Sequence, residues 1–404
     1  MFNIDKLKNY IQSANINFLF GSGLSRPYLI TLGDIEKWLT EVIMIDDADL
    51  RNIIQASIYK KYFEGVILPN TEDSIEDDIL YYSKYPYVLN NYSTFLSIWN
   101  EIIVRRNSNL LNKQINIYTT NIDLFVERAA EKTRIEFNDG FKGVMNPLFD
   151  EGNFHKSYSK TSAYFQHTSE IPVFNLLKLH GSINWAALKE QDNRITCDVA
   201  LSNVVKAHNA LNEIGSDLFI PIEVDDTIES LKAKAQGILD NQEYFNFGVF
   251  ESFFESYQDI VMVNPTKHKF KETVLDLHFY ELMRLYSNSL EKENSILFVQ
   301  GFSFADEHIS KITQRAAETN PTLLIIIFSY DDAEKMNFEK KLDLVHGGPK
   351  NNNIWVVTPS SFVDANSYNL NEEEREVFVN KYKAFDFKTI NEIYRSVANL
   401  IPFK

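Results

Sequence analysis

The chain has 404 residues, 44% of them hydrophobic and 24% charged, which is typical of a globular protein with a large core. Its formal net charge of -16 argues against direct, unaided binding to nucleic acid, because an acidic surface repels the phosphate backbone. A single cysteine, Cys197, excludes a disulfide framework and a zinc cluster built from several cysteines.

The N-terminus has neither the long apolar segment nor the small-residue cleavage site of a signal peptide. The longest apolar runs, such as Leu323–Phe328, are as short as strands and too short to cross a membrane. These features, with the single cysteine, predict a cytoplasmic protein with no membrane span.

The first part of the chain changes pattern several times. A short amphipathic helix is expected at the N-terminus, followed by a buried strand over Ile16–Phe20 and a helix over Thr31–Ile45 with Asp34 as its N-cap. Residues 46–111 are helical in pattern and contain no clear strand, so a helical insertion is expected there. The segment 186–254 is weakly periodic and predicts a second, mixed insertion.

Strands and helices alternate elsewhere. Further strands are expected at Ile115–Tyr118, Leu176–Leu179, Ile260–Val263, Ile296–Val299, Leu323–Phe328 and Ile354–Val357. Helices are expected at Ile122–Lys132, Lys271–Leu290, Asp306–Ala317, Asp332–Leu344 and Ile390–Leu400. This alternation predicts an α/β, Rossmann-like fold, in which helices cover both faces of a parallel sheet. Residues 1–358 would form one catalytic domain and 359–404 a helical tail.

Four polar or glycine-bearing segments directly follow predicted strands. They are Gly21–Ser25 (GSGLS), Thr119–Asp123 (TTNID), His180–Trp185 (HGSINW) and Gly301–His308 (GFSFADEH). In parallel sheets ligands bind beyond the carboxyl ends of the strands. The four segments therefore predict one shared binding site at that edge.

The GSGLS segment alone has several interpretations. A triphosphate-binding loop would end in Gly-Lys-Ser/Thr, which is absent here. A dinucleotide fingerprint needs a third glycine where Arg26 stands, and an acidic residue after a second strand. A hydride-transfer dehydrogenase is therefore disfavoured, and a plain tight turn stays open for this segment by itself.

The next two segments offer side chains suited to catalysis. Asn121 or Asp123 could cap the following helix, but a cap explains one polar residue and not four in a row. His180 could be a structural histidine, yet imidazole titrates near neutrality and Gly181 would let a ligand approach. Both segments are therefore candidates for binding and proton transfer.

Two other pairs of residues are weaker candidates. His278 and Glu281 share a helix face, but no further ligands accompany them, so no metal site is predicted. Lys267 and Lys269 lie in a predicted loop from which they could reach a phosphate, although solvated lysines are the simpler interpretation.

In their order along the chain, GSGLS, TTNID and His180-Gly181 resemble the motifs of the sirtuin-like superfamily of NAD-binding proteins. The NDGF segment at Asn138–Phe141 and GFSFADEH resemble segments of the bacterial branch used in anti-phage immunity. The resemblance covers about Ile16 to Val357, with the two insertions unassigned.

The chain departs from deacylating sirtuins in two ways. Their zinc module carries four cysteines after the His-Gly motif, whereas only Cys197 follows it here. Their Gly-Ile-Pro-Asp-Phe-Arg continuation is replaced by Leu32-Gly33-Asp34-Ile35. The resemblance therefore implies a stand-alone NAD glycohydrolase with NAD as substrate and no structural zinc.

We assign hypothetical roles on this basis. Asn121 would orient the ribose and the attacking water, Asp123 would bind the nicotinamide carboxamide, and His180 would accept a proton. The pyrophosphate is expected to bind to backbone amides and a helix N-terminus at Gly21, Ser22, Gly23 and Ser25. Thr120 would bind NAD nearby, and Gly301 and Ser303 would contact the adenosine.

An unregulated NAD hydrolase would deplete its own cell, so control by self-assembly or by a partner is expected. The resemblance implies a homo-oligomer and a possible partnership with a hexameric HerA-like ATPase that translocates DNA. Three alternatives stay open: an NAD-dependent protein deacylase, a non-enzymatic NAD or ADP-ribose sensor, and a nuclease subunit of a DNA-processing assembly. Hydrolysis and cyclisation of NAD are not distinguished.

Overall fold

A computed structural model describes residues 2–31, 33, 35–106, 111–188, 194–241, 247–263, 277–345 and 348–402. Its strands are β1 (Asn15–Phe20), β2 (Gln114–Thr119), β3 (Phe137–Asn138), β4 (Phe141–Lys142), β5 (Leu148–Phe149), β6 (Tyr158–Thr161), β7 (Thr168–Ile171), β8 (Val173–Lys178), β9 (Trp185–Leu188), β10 (Arg194–Cys197), β11 (Ser295–Gln300), β12 (Leu323–Phe328) and β13 (Ile354–Val357). Seven of them form one sheet in the order β13-β12-β11-β1-β2-β8-β3.

Every pairing in this sheet is parallel. The α-helices span Ile4–Ser13, Ile35–Val42, Ala48–Tyr62, Glu72–Tyr81, Lys84–Arg105, Phe125–Thr133, Ser202–Asn212, Ile228–Asp240, Glu251–Gln258, Leu277–Glu291, Glu307–Thr319, Lys335–Lys341, Pro359–Asn366, Glu372–Lys381 and Phe387–Leu400. No helix among the described residues is long and apolar enough to cross a membrane. The predicted α/β fold with a parallel, Rossmann-like sheet is confirmed.

Alternate side chains of the strands fill two cores, one on each face of the sheet. On one face Phe18 and Phe298 pack against helices that include Lys84–Arg105 and Phe387–Leu400. On the other face Leu19, Val299 and their neighbours pack against the helices Leu277–Glu291 and Glu307–Thr319. Strands buried on both sides explain why the sequence shows continuous apolar runs without polar alternation.

The order of the strands creates a crevice between β1 and β11. From β1 the chain continues through helices on one face to β2, whereas from β11 it continues on the opposite face to β12. Connections that leave neighbouring strands toward opposite faces open a crevice at the carboxyl ends. GSGLS follows β1 and GFSFADEH follows β11, so both segments border this crevice.

Several predicted boundaries shift. The predicted strand Ile260–Val263 is wrong, because this segment makes a single antiparallel bridge between Met262 and Gly181. The helix predicted from Ile122 begins at Phe125, because the Asp123 carboxylate accepts the Phe125 amide and holds the preceding residues as a loop. Residues 271–276 of one predicted helix, and the predicted cap Asp34, lie outside the described residues.

A third hydrophobic core, here called the helical lobe, lies away from the two sheet faces. It is formed by helices from both predicted insertions, among them Ala48–Tyr62 and Ser202–Asn212, together with Ile35–Val42. Ile122 of TTNID and Ile183 of HGSINW are buried in the same core. The helical lobe therefore packs directly onto two of the predicted site loops.

The predicted domain boundaries remain a prediction, but the cores divide the chain differently. Lys84–Arg105, from the first predicted insertion, packs on the sheet against Phe125–Thr133 and Phe387–Leu400. The last of these helices belongs to the predicted tail, and its Tyr394 contacts the rings of Phe18 and Phe298. The tail thus completes the core beside the sheet.

A row of asparagine side chains crosses four neighbouring strands near their amino ends. Asn116 donates to Asn17 (2.9 Å), Asn175 donates to Asn116 (2.9 Å), and Asn138 donates to Asn175 (3.1 Å). Asn153 extends the row by donating to Asn138 (2.8 Å). Because each amide needs its neighbour in register, the row fixes how β1, β2, β8 and β3 align.

Replacing Asn175 by leucine is expected to lower the free energy of unfolding by about 1–3 kcal/mol. The substitution leaves the side-chain oxygen of Asn116 and one side-chain amide hydrogen of Asn138 without their partners inside the sheet. Urea unfolding of Asn175→Leu measures the loss, and the exposed helical Asn9→Leu is the control. An unchanged midpoint for Asn175→Leu would contradict a stabilising row.

Candidate active site

The four polar segments meet at the carboxyl edge of the sheet. GSGLS contacts GFSFADEH through the Gly23 amide, which donates to the Gly301 carbonyl (3.0 Å). TTNID contacts GSGLS through Asn121, and HGSINW contacts GFSFADEH through His180. The predicted convergence of these segments is therefore present in the fold.

The glycines of GSGLS allow another piece of protein backbone to come close. A Cβ at Gly21 would lie 2.4 Å from the Gly301 oxygen, and one at Gly23 would lie 3.0 Å from the Gly301 Cα. The Gly21 amide donates to the Gln300 carbonyl (3.1 Å), as the Gly23 amide does to Gly301. The contact between the loop that follows β1 and the loop that follows β11 explains these two glycines. Their binding of a phosphate stays a prediction.

The expected helix N-terminus at the phosphate position is wrong. GSGLS continues into a four-residue 3-10 turn, Ser22–Ser25, and the next α-helix begins only at Ile35. So short a turn carries little of the dipole that a full helix would offer to an anion. Ser22 is half-buried, whereas Ser25 is buried and its hydroxyl donates to Asp123 (2.7 Å). Ser25 therefore belongs to the Asn121–Asp123 cluster.

Asn121 has an unpaired, buried acceptor. Its Nδ2 donates to the Gly21 carbonyl (3.1 Å) and contacts the Ser25 hydroxyl (3.4 Å). A carbonyl can only accept, so the amide nitrogen must face Gly21 and Oδ1 must point elsewhere. That Oδ1 is buried and has no hydrogen-bond partner. A buried unpaired acceptor costs about 1–3 kcal/mol, which a hydroxyl group of a ligand would offset.

Asp123 is the centre of a buried polar cluster. Its two oxygens accept from the Ser25 hydroxyl (2.7 Å) and from the Phe125 amide (3.2 Å). Burial raises the pKa of Asp123, and the nearby Lys178 ammonium opposes that shift. The hydroxyl of Tyr92 lies 3.1 Å from that of Ser25. Burial raises the pKa of Tyr92, and the negative charge of Asp123 raises it further. The helix-cap explanation thus accounts for only one Asp123 oxygen.

The charge of Asp123 also acts on a residue of the helical lobe. Tyr62 is a buried side chain at the end of helix Ala48–Tyr62, and burial together with the charge of Asp123 raises its pKa. The helical lobe therefore lies within the electrostatic reach of the polar cluster.

His180 is held by a carboxylate from the segment that follows β11. Its Nε2 lies 3.0 Å from Asp306 Oδ2, and both side chains are about nine-tenths buried, at 11% and 8% exposure. The other Asp306 oxygen accepts the amides of His308 and Ile309 at the start of helix Glu307–Thr319. This arrangement favours the proton on Nε2 and leaves Nδ1 as an acceptor.

The His180–Asp306 contact spans the top of the sheet. His180 follows β8 and Asp306 follows β11, and β2 and β1 lie between those strands. At strand spacings of about 4.8 Å the GFSFADEH segment must reach across roughly 14 Å. Sequence reasoning gave Asp306 no catalytic role, because an acidic residue at a helix start is already explained as a cap.

Gly181 also serves a contact between backbones. Its φ is +78°, and a Cβ there would lie 2.3 Å from the Val261 carbonyl. The Ser182 amide donates to the same carbonyl (3.1 Å). The contact with the Val261 carbonyl therefore explains this glycine, and ligand access beside it stays a prediction.

The remaining predicted residues lie around this centre. Thr120 is half-buried after β2, and its amide reaches the Phe20 carbonyl (3.4 Å). Gly301 and Ser303 are exposed, and the Ser303 carbonyl accepts from Lys341 (2.9 Å). Binding of a ligand by Thr120, Gly301 and Ser303 stays a prediction.

His278 and Glu281 do not join the site. Glu281 pairs with Arg284, and His278 packs edge-on against Phe149. Lys267 and Lys269 lie outside the described residues. Within the described ranges, no group of three or more His, Cys, Asp or Glu side chains is placed to hold a metal ion.

The candidate site is a narrow buried cluster. Asn121 and His180 are each 9% exposed and Asp123 is 4% exposed. Two cavities of about 300 and 230 Å³ lie at the opposite edge, by the amino ends of the strands. The residues that line these two cavities do not include Asn121, Asp123 or His180.

Comparison of the chain with protein-family models and with curated protein sequences finds no match.

Proposed function

We propose that the chain is a sirtuin-like NAD glycohydrolase that cleaves the bond between nicotinamide and ribose. The observation that carries the proposal is the buried, unpaired Asn121 Oδ1, in a cluster that also contains Asp123. The His180–Asp306 pair lies at the same edge of the sheet. An unpaired acceptor and a carboxylate-held imidazole at the same edge of the sheet suit a ligand with ribose hydroxyls.

The reaction converts NAD and water into nicotinamide, ADP-ribose and a proton. Nicotinamide leaves as a neutral base because its ring nitrogen takes both electrons of the glycosidic bond. The sugar passes through an oxocarbenium-like state, as in other glycoside cleavage. The protein therefore needs no strong acid, but must orient the ribose and take up one proton.

The side chains can divide this work. Asn121 Oδ1 would accept a hydrogen bond from a ribose hydroxyl or from the attacking water. His180 Nδ1 would accept the proton, and the Asp306 carboxylate would stabilise the resulting imidazolium. The buried Asp123 carboxyl would face the nicotinamide carboxamide.

Two features favour hydrolysis of a small molecule over protein deacylation. The cysteines of a zinc module are missing from the sequence. The candidate residues are buried beside the helical lobe, where an acylated lysine chain would have to reach them. We further propose, from the resemblance alone, a cytoplasmic homo-oligomer that depletes NAD in anti-phage immunity, with a hexameric HerA-like ATPase as possible partner.

The test is incubation of the purified chain with NAD, with and without the candidate ATPase, and identification of the products. We expect nicotinamide and free ADP-ribose in equal amounts. Binding without turnover under both conditions would contradict the proposal and favour a sensor. Turnover that requires an acylated lysine peptide would favour a deacylase, and a cyclic product would replace hydrolysis by cyclisation.

A further inference from the structure

A buried lysine lies directly beneath the candidate site. Lys178 is the last residue of β8, and its side chain is 3% exposed. Its ammonium group donates to Glu127 Oε1 (2.6 Å), to the Ser182 hydroxyl (2.7 Å) and to the Asp123 carbonyl. All three N–H bonds of the ammonium therefore have a protein acceptor.

Two of these acceptors belong to the loops that carry the candidate catalysts. The Asp123 carbonyl lies in TTNID, two residues after Asn121. Ser182 lies in HGSINW, two residues after His180, and Lys178 itself lies two residues before it. A single cation thus holds both loops at a fixed separation.

The buried ion pair of Lys178 and Glu127 suits a role in fixing the geometry of the loops. Burying a cation and a carboxylate costs free energy that well-packed apolar residues would not require. A tetrahedral ammonium can reach three acceptors in different directions, whereas the planar guanidinium of arginine cannot match them. Glu127 supplies the compensating charge from the first turn of helix Phe125–Thr133.

We propose that Lys178, with Glu127 as its counterion, is a positioning residue that sets Asn121 and His180 relative to each other. For its effect on turnover this inference rests on the proposed NAD cleavage. The ammonium of Lys178 makes no hydrogen bond to Asn121 or His180, so it acts on them through the two loops.

The test uses the double variant Lys178→Met/Glu127→Gln, which removes both charges of this ion pair together. Lys206→Met is the matched control, because Lys206 pairs with Asp259 (3.0 Å) on the surface and is 59% exposed. We expect the double variant to fold, to lose about 10²-fold in kcat and to keep its KM, since small misplacement of catalytic groups has effects of this size. The control should match the wild type.

The pH profile gives a second readout that a purely structural role would not move. The Lys178 ammonium lowers the pKa of Asp123, so its removal raises that pKa. The limb of the kcat profile that depends on Asp123 should therefore move to higher pH in the double variant. Unchanged kcat and an unchanged profile in the folded double variant would overturn the proposal.

Amide hydrogen exchange separates this proposal from the proposed function. Exchange in residues 119–124 and 179–184 should become faster together in the double variant and stay unchanged in Lys206→Met. This result would support positioning by Lys178 even if the wild type does not cleave NAD. Unchanged exchange in both segments would overturn it, whatever the activity.

Discussion

Replacing His180 by alanine is expected to lower the rate of NAD cleavage by about 10²–10⁴-fold, the usual contribution of a general base. The imidazole lies 3.0 Å from the Asp306 carboxylate, which orients it. The substitution removes this imidazole and with it the proton acceptor. Release of nicotinamide under saturating NAD measures the loss, and circular dichroism checks that the variant is folded.

Asp306→Asn provides a graded comparison for this prediction. Asparagine keeps the size of the side chain and can still cap helix Glu307–Thr319, but it cannot stabilise an imidazolium by charge. We expect a smaller loss than in His180→Ala, with the fold retained. His155→Ala is the control, because His155 is exposed at the opposite edge of the sheet. A loss of only a few-fold in His180→Ala would rule out a general base at this position.

The architecture of the sheet could be predicted because its strands are buried on both faces. Leu323–Phe328 and Ile354–Val357 are found at the predicted residues, since short continuous apolar runs are typical of strands in a parallel sheet covered on both faces. β3 was missed because two residues, Phe137 and Asn138, are too few to show any periodicity. Short strands depend on their neighbours, and β3 is defined by its pairing with β8.

The site could be predicted only as far as local sequence determines it. Asn121, Asp123 and His180 were identified because each follows a buried strand. Lys178 was missed because it is the last residue of a strand, where the sequence gives no sign of three acceptors from two loops and a helix. Such a residue is defined by contacts across the fold, which one sequence does not contain.

The glycine interpretations show the same limit. A glycine after a strand suggests that something approaches its backbone, but the sequence does not say what. At Gly21 the neighbour is the Gly301–Phe302 backbone, and at Gly181 it is the Val261 carbonyl. Gly21 joins two loops of the site, and Gly181 joins one site loop to the segment that contains Val261. Each glycine would therefore affect a ligand through the position of a loop.

Replacing Gly21 by alanine is therefore expected to damage both stability and activity. The added Cβ would lie 2.4 Å from the Gly301 oxygen and 2.5 Å from the Phe302 Cα, and backbone atoms cannot turn aside as a flexible side chain can. Relief of the contact must separate the loops after β1 and β11. We expect a loss of about 1–3 kcal/mol in the free energy of unfolding, as for other overpacked sites.

The same displacement should lower NAD cleavage by roughly 10²-fold, because the Gly21 carbonyl holds the Asn121 amide and a small shift misplaces its Oδ1. Gly237→Ala is the matched control: nothing lies within 4 Å of its added Cβ, and alanine favours its helix Ile228–Asp240. Urea unfolding and nicotinamide release measure both variants. If Gly21→Ala behaved like Gly237→Ala, the two loops would not be packed together, and the Asn121 acceptor would not depend on their contact.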